Sequence, residues 1–349
     1  MFFRGYPVSE LAEHSTFEEV AFLLLRGALP SASELASFKE TLTARRSLSD
    51  AVVATLKTLP ATGHPMDALV CGLAACGMAA PADVMDSPEK RWQAAVELLA
   101  IAPSIVAAFD RIRSGNEPIA ARADLSHAAS FLYQLTGEVP EPLVEKVFDV
   151  ALILHAEHGV NASTFSGRVT GSTLSDPYAV LCAAVSTLAG PLHGGANEDV
   201  LRTLEGLPSD VDPAEWVAAR LAAKDKIPGF GHRVYKVKDP RATILQKMVG
   251  QVFDRFGSTP VYNIATAVEK AMEEAVGAKG IYPNVDFYSG IVYQKLGIKT
   301  DLFTPIFAIS RTSGWLAHWL EQLEGNRIFR PTQIYEGERG LAYVAVADR

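Results

Sequence analysis

Three turns in this 349-residue chain carry residue types that can move a proton and stabilise negative charge. The first is Gly190-Pro191-Leu192-His193-Gly194-Gly195-Ala196-Asn197. Its one histidine sits between a helix-stopping Gly-Pro and a Gly-Gly that permits close backbone approach. A helical stretch follows at once, with Glu198 and Asp199 in its first turn. His193 therefore stands near a helix N-terminus, where the positive end of the dipole disfavours imidazolium. A neutral imidazole so held can donate N–H to an oxygen that gains negative charge, which is what chemistry through an enolate requires.

The second turn is Pro228-Gly229-Phe230-Gly231-His232-Arg233-Val234-Tyr235-Lys236, continuing to Lys238-Asp239-Pro240-Arg241. Its glycines expose backbone N–H groups and four cationic side chains follow, a pattern suited to a phosphorylated ligand or a carboxylate. A basic surface loop would read the same way. The Gly-Lys-Ser/Thr ending of a Walker loop is missing, and no strand precedes the glycines as a dinucleotide fingerprint needs. The third turn, Tyr282-Pro283-Asn284-Val285-Asp286-Phe287-Tyr288-Ser289-Gly290, sets Asp286 among apolar and aromatic residues. Desolvation there would raise its pKa towards that of a useful general base, although a helix N-cap aspartate fits the same pattern.

Arg311 lies inside an otherwise apolar helix, Ile309 to Trp315, and a charge so placed needs an anionic partner. Arg330 precedes Pro331. With Arg241, these arginines could grip a small dicarboxylate in bidentate fashion, or each could form an ordinary salt bridge. His155 and His158 have metal-like spacing at a helix end, but no third ligand lies close and no HExxH occurs. His158 fits better as a donor to an anionic ligand. No Gly-x-Ser-x-Gly elbow is present.

The elements that must position these turns are helices. Ser15 with Glu18 and Ser31 with Glu34 read as capping boxes. Ser87-Pro88 opens a long helix that contains Pro103. Helical patterns run over 126–135, 141–157, 177–188, 196–204, 214–223, 242–256, 265–276 and 306–323. Strand-like alternation is confined to Leu341–Val346, and the expected fold class is all-α. The net charge of −8 argues against a nucleic-acid partner. Cys71, Cys76 and Cys182 read as reduced core residues, no apolar run is expected to span a membrane, and the start lacks signal-peptide zones. The expected compartment is the cytoplasm.

Taken together and in this order, GPLHGGAN, PGFGHRVYK with DPRA, and PNVDFYSG resemble the three signature segments of the citrate synthase family. HAEHGVNASTF, SDPY, ISRTSGWLAHW and NRIFRP match its pattern as well, so the resemblance spans the chain from Arg4 to Pro331 and beyond. It implies a mainly helical fold with a large domain, 1–192 and 291–349, and a smaller mobile domain, 193–290. It implies condensation of acetyl-CoA with oxaloacetate and hydrolysis of citryl-CoA to citrate and CoA, as in the tricarboxylic acid cycle, with no metal and no cofactor. Asp286 matches the base, His193 the neutral donor to the enolate oxygen, and His232 the histidine that polarises the oxaloacetate carbonyl. His158, Arg241, Arg311 and Arg330 match the oxaloacetate and citrate ligands. Lys226, Gly229 and Lys236 lie in the segment that wraps CoA. The Arg330 position serves the neighbouring subunit's site in that family, which implies a homodimer and leaves higher assembly open.

Relatives usually carry a short segment ahead of the position matching Arg4, in some with a basic CoA-binding residue. Here Met1 stands three residues before it, so the resemblance leaves part of the CoA site and some dimer contacts unassigned. Two other readings compete. A 2-methylcitrate synthase would use propionyl-CoA by the same mechanism, since one methylene in an apolar pocket discriminates by only about 1–3 kcal/mol. A catalytically idle, assembly-forming homologue would be expected to lack one of His193, His232 and Asp286, and all three are present.

Overall fold

The computed structural model describes residues 1–208, 211–231 and 239–349. Sixteen α-helices occur among the described residues, and the only strands there are β1 (Phe2–Phe3) and β2 (Tyr6–Pro7), an antiparallel pair with Phe3 opposite Tyr6. The all-α expectation holds. The helices are α1 (Val8–His14), α2 (Phe17–Arg26), α3 (Ala32–Ala44), α4 (Asp50–Thr58), α5 (Pro65–Ala79), α6 (Pro88–Arg113), α7 (His127–Thr136) and α8 (Pro142–His155). The second half adds α9 (Ala162–Ser172), α10 (Pro177–Leu188), α11 (Ala196–Glu205), α12 (Pro213–Ala222), α13 (Pro240–Phe256), α14 (Pro260–Val276), α15 (Val285–Lys295) and α16 (Phe303–Glu324).

Local chemistry accounts for most of the boundaries. Ser31 and Glu34 form the complete reciprocal capping box at α3. Ser126 caps α7, which ends at Gly137 in the left-handed conformation, and Asp176 caps α10 with Pro177 in its first turn. The cap of α2 is Thr16 rather than Ser15, and Glu18 serves a distant group instead: its Oε1 accepts from the backbone N–H of His127 at 2.9 Å. Thr259 and Pro260 start α14 five residues ahead of its apolar pattern.

Helix α6 is the axis of the core, packed by α5, α7 and α16. It corrects one sequence expectation: an 18-residue window of this helix has a mean hydropathy of 1.6, long and apolar enough to cross a membrane, but 83% of that window is buried inside the protein. The approach of α5 to α6 depends on Gly72, where a Cβ would come 2.5 Å from Cγ2 of Ile105. Cys71 is exposed, which corrects the core reading there, whereas Cys76 and Cys182 are half-buried and pack against the core; all three are unpaired. Leu341–Val346 forms no strand; Leu341, Tyr343 and Val346 are exposed, and no ladder is made there.

Around the three turns, α9 lies between α10 and α16, and α16 also packs on α2, α6 and α8. Helices α11 and α13 flank α15, while α12 packs on α14. The loops before α9, α11, α13 and α15 and the middle of α16 supply the side chains described next.

Candidate functional site

His193 sits in the α10–α11 turn. Its N–H donates to Gly190 O at 2.9 Å, and Gly194 N–H donates to Leu188 O at 2.9 Å. A Cβ at Gly194 would lie 2.5 Å from that same carbonyl, so only glycine allows the turn to close. The ring is half-buried, and burial followed by the charge of Arg311 pushes its pKa below the ordinary histidine value. The backbone N–H of Ser163 donates to His193 Nε2 at 3.1 Å. A peptide N–H cannot accept, so Nε2 carries the lone pair and Nδ1 carries the proton. Ser163 is the second residue of α9, so the helix terminus that addresses the ring is that of α9, as well as α11 next to it in sequence.

Ser163 is held in turn. Its hydroxyl lies 2.8 Å from His193 Nε2 and 2.7 Å from Oδ1 of Asn161, the N-cap of α9, and accepts from Trp315 Nε1 at 3.2 Å. On the α11 side, buried Glu198 receives hydrogen bonds from the Thr304 hydroxyl and, at 3.0 Å, from Arg202. That carboxylate also raises the pKa of His64, the N-cap of α5. None of Asn161, Ser163, Trp315 or Thr304 was singled out from sequence, although Asn161 ahead of Ser163-Thr164 is a legible N-cap signal.

Asp286 lies in the first turn of α15. The cap is Asn284, whose Oδ1 accepts the Asp286 N–H at 3.0 Å, so the aspartate carboxylate is not committed to capping. Burial pushes it up to about 6, against the opposing pull of Arg241 and Arg311, with Asp239 adding to the rise. The second and third turns are zipped together. Gly231 N–H donates to Tyr282 O and Asn284 N–H to Gly229 O, both at 2.9 Å, and Asn284 Nδ2 donates to Gly231 O at 3.1 Å. Gly229 has φ +81°, and a Cβ there would meet Val200 at 2.7 Å and Phe287 at 2.8 Å. His232 and Lys236 lie outside the described residues. Lys226 is exposed.

The arginines divide. Arg241, in the first turn of α13, is buried and forms a bidentate pair with Asp239, Nε to Oδ1 at 3.1 Å and Nη2 to Oδ2 at 2.7 Å. Arg311, at 1% exposure, donates from Nε to His155 O at 2.7 Å and stacks 4.7 Å from the Phe307 centroid. Neither of its terminal nitrogens bonds a described residue. His158 is half-buried in the turn after α8. His155 does not share a ligand role with it: its Nδ1 donates to Ala151 O at 2.7 Å and burial depresses its pKa to about 3. Arg330 is exposed, and the strand of chain before it is tied to Ser172 at the far end of α9 by Asn326 and Phe329. Phe329 also stacks on Phe165 of α9, with ring centroids 6.4 Å apart, and no hydrogen bond or ion pair among the described residues joins Arg330 to the cluster around Ser163.

Arg311 thus acts on the protonation of both His193 and Asp286, and Arg241 on that of Asp286, while Lys226 and Arg330 enter none of these shifts. A carboxylate raised towards neutrality, a neutral N–H donor and two buried guanidiniums suit proton abstraction beside a carbonyl, with a carboxylate-bearing partner.

Comparison with known proteins agrees with that chemistry. Residues 1–332 match the family described as citrate synthase, C-terminal domain. The chain is 54% identical to a citrate synthase of Synechocystis sp., covering 99% of this chain and 87% of that protein. It is 40% identical to a 2-methylcitrate synthase of Shewanella oneidensis, over 99% and 91%. A citrate synthase of Thermoplasma acidophilum, solved in ternary complex with carboxymethyl coenzyme A and oxaloacetate, superposes with a TM-score of 0.92 at 33% identity, covering 99% of this chain and 92% of that one. The chain belongs to the citrate synthase family.

The tautomer of His193 is open to direct measurement. Nitrogen-15 shifts of the labelled ring at pH 7 should report a neutral imidazole protonated on Nδ1. An imidazolium pattern, or a proton on Nε2, would contradict the assignment.

Proposed function

We propose that this citrate synthase family member condenses acetyl-CoA with oxaloacetate through an enolate and citryl-CoA, and hydrolyses that intermediate to citrate and CoA. The observation that carries the reading is the pairing of Asp286, raised to about 6, with a His193 whose only proton is on Nδ1. The α-carbon of a thioester is a very weak acid, so a carboxylate base succeeds only if the enolate oxygen is stabilised as it forms. One preorganised donor is worth roughly 3 kcal/mol in such a site. Asp286 removes the methyl proton, and His193 Nδ1–H bonds the oxygen that becomes negative. A neutral donor is the right one, because it neither quenches the base nor needs to lose its proton.

In the same reading Arg311, Arg241 and His158 hold the oxaloacetate carboxylates, and His232 polarises its carbonyl and protonates the new alkoxide. Lys226, Gly229 and Lys236 belong to the CoA side. Acetyl-CoA is favoured as donor by the identity to a citrate synthase exceeding that to a 2-methylcitrate synthase. Residues 193–290 act as a smaller domain that closes over the ligand, excluding water until the carbon–carbon bond is made. No metal or redox cofactor enters any step. The unpaired cysteines support a reducing, cytoplasmic setting.

The reading includes a homodimer in which Arg330 serves the neighbouring subunit's site. Its support is the exposed position of Arg330 and a run of exposed apolar residues that follows it, Ile334, Tyr335, Leu341 and Tyr343.

Two outcomes are expected. Asp286→Asn should lower kcat by about 10²–10⁴-fold while oxaloacetate still binds. In the wild type, kcat/KM for acetyl-CoA should be level above about pH 7, half-maximal near the aspartate pKa of about 6, and fall about tenfold per pH unit below it, because only the ionised carboxylate can accept a proton. Near-normal turnover of the variant, or a flat profile through that range, would remove Asp286 from the role. For the dimer, mixing an Arg330→Ala protein with a His193→Ala protein should restore part of the activity that each lacks. Confirmed subunit exchange without rescue would show that the site is not shared.

A further inference from the structure

Glu157 follows the end of α8 and precedes His158. Its Oε1 accepts the backbone N–H of Gly159, whose φ is +63°, and so closes the turn on which His158 rides. The same oxygen is 3.1 Å from Nε2 of His318 on α16; the ionised carboxylate has no proton to give, so the imidazole donates. Both side chains are shielded, at 13% exposure for Glu157 and 18% for His318. Phe2, Phe3 and Arg4 of the N-terminal hairpin line one cleft with them, and Arg4 ties that hairpin to α16 through Glu321 at 3.4 Å.

Helix α16 reaches this turn only because residue 314 is glycine: a Cβ there would lie 2.3 Å from Glu157 Oε2 and 2.4 Å from Ala156 O. One turn earlier on α16 is Arg311, whose Nε is bonded to His155 O in the same stretch. Through space, Glu157 is the foremost negative group favouring the charged form of that guanidinium. The turn 155–159 therefore meets Arg311 twice, by a carbonyl and by a carboxylate charge, while no described residue bonds the terminal nitrogens of Arg311.

We propose that Glu157, clamped by His318, is a positioning residue for oxaloacetate: it fixes the His158 turn and balances Arg311 until a substrate carboxylate arrives. The inference rests on the citrate synthase reading and adds to it a pair that touches neither substrate. Two consequences have opposite signs. Losing the clamp displaces His158 and Arg311, and weakens oxaloacetate binding. Removing only the charge of Glu157, with its shape and acceptor kept, leaves Arg311 less compensated and strengthens binding of a dianion.

The experiment is calorimetric titration of oxaloacetate into the full-length wild type, Glu157→Gln, His318→Ala and His318→Gln, with CoA-release kinetics in parallel. Glu157→Gln should lower the oxaloacetate Kd by about threefold or more, and His318→Ala should raise it by about tenfold. His318→Gln, whose amide N–H can reach the same carboxylate, should return to within about threefold of wild type, while KM for acetyl-CoA moves by less than about twofold throughout. A Kd that moves by less than about twofold in both Glu157→Gln and His318→Ala would overturn the proposal. So would losses shared equally by both substrates, with a lowered Tm and no rescue by His318→Gln. A wild type that binds oxaloacetate but releases no CoA refutes the catalytic reading instead, and calorimetry still tests the positioning role.

Discussion

A guanidinium sealed into a helical core is the constraint to which the rest of the site is fitted. Arg311 is 1% exposed, and burial pulls its pKa down to about 10, which still leaves it charged at neutral pH. Removing an ion from water costs roughly several kcal/mol unless partners replace the solvent. The chain supplies a carbonyl from His155, the face of Phe307 and the charge of Glu157, and it keeps α16 close enough for all three by placing glycine at 314. The charge of Arg311 reaches His193, where it adds to burial in keeping the ring neutral, and Asp286, where it joins the stronger pull of Arg241 in opposing burial, so that the rise stops at about 6. One buried cation thereby tunes the donor, the base and the ligand pocket together.

The chemistry-bearing residues were legible because each breaks its local pattern. His193 interrupts a Gly-Pro and Gly-Gly turn, Asp286 stands among aromatics, and Arg311 is a charge in an apolar helix. The residues that orient them were not, because their meaning arises only where distant segments meet. Ser163 reaches His193 across 30 positions and Trp315 across 152, and neither is unusual in its own neighbourhood. The Glu157–His318 pair, 161 positions apart, was equally silent.

The same distinction runs through the fold. The cap at Ser31 depends on a neighbour three residues away and reads correctly, and the patterns over 126–135 and 177–188 fall within a residue of α7 and α10. Ser15 and Glu18 mimic a capping box, yet Glu18 is spent on the His127 N–H 109 positions away and Thr16 does the capping. Apolar composition did not reveal which face of α5 is covered, so Cys71 was misplaced in the core. Alternation in 341–346 has no neighbouring strand to give it a ladder. For α6 the error ran the other way: an apolar stretch of spanning length belongs to the centre of the core.

The central step of the proposed reaction is formation of an enolate in a site that a dicarboxylate completes. The most direct measurement is thiol release from acetyl-CoA by the purified full-length protein at neutral pH, with and without oxaloacetate. The account predicts stoichiometric release of CoA with both substrates and no release above background with acetyl-CoA alone. Equal release in the absence of oxaloacetate, or none in its presence, would contradict it.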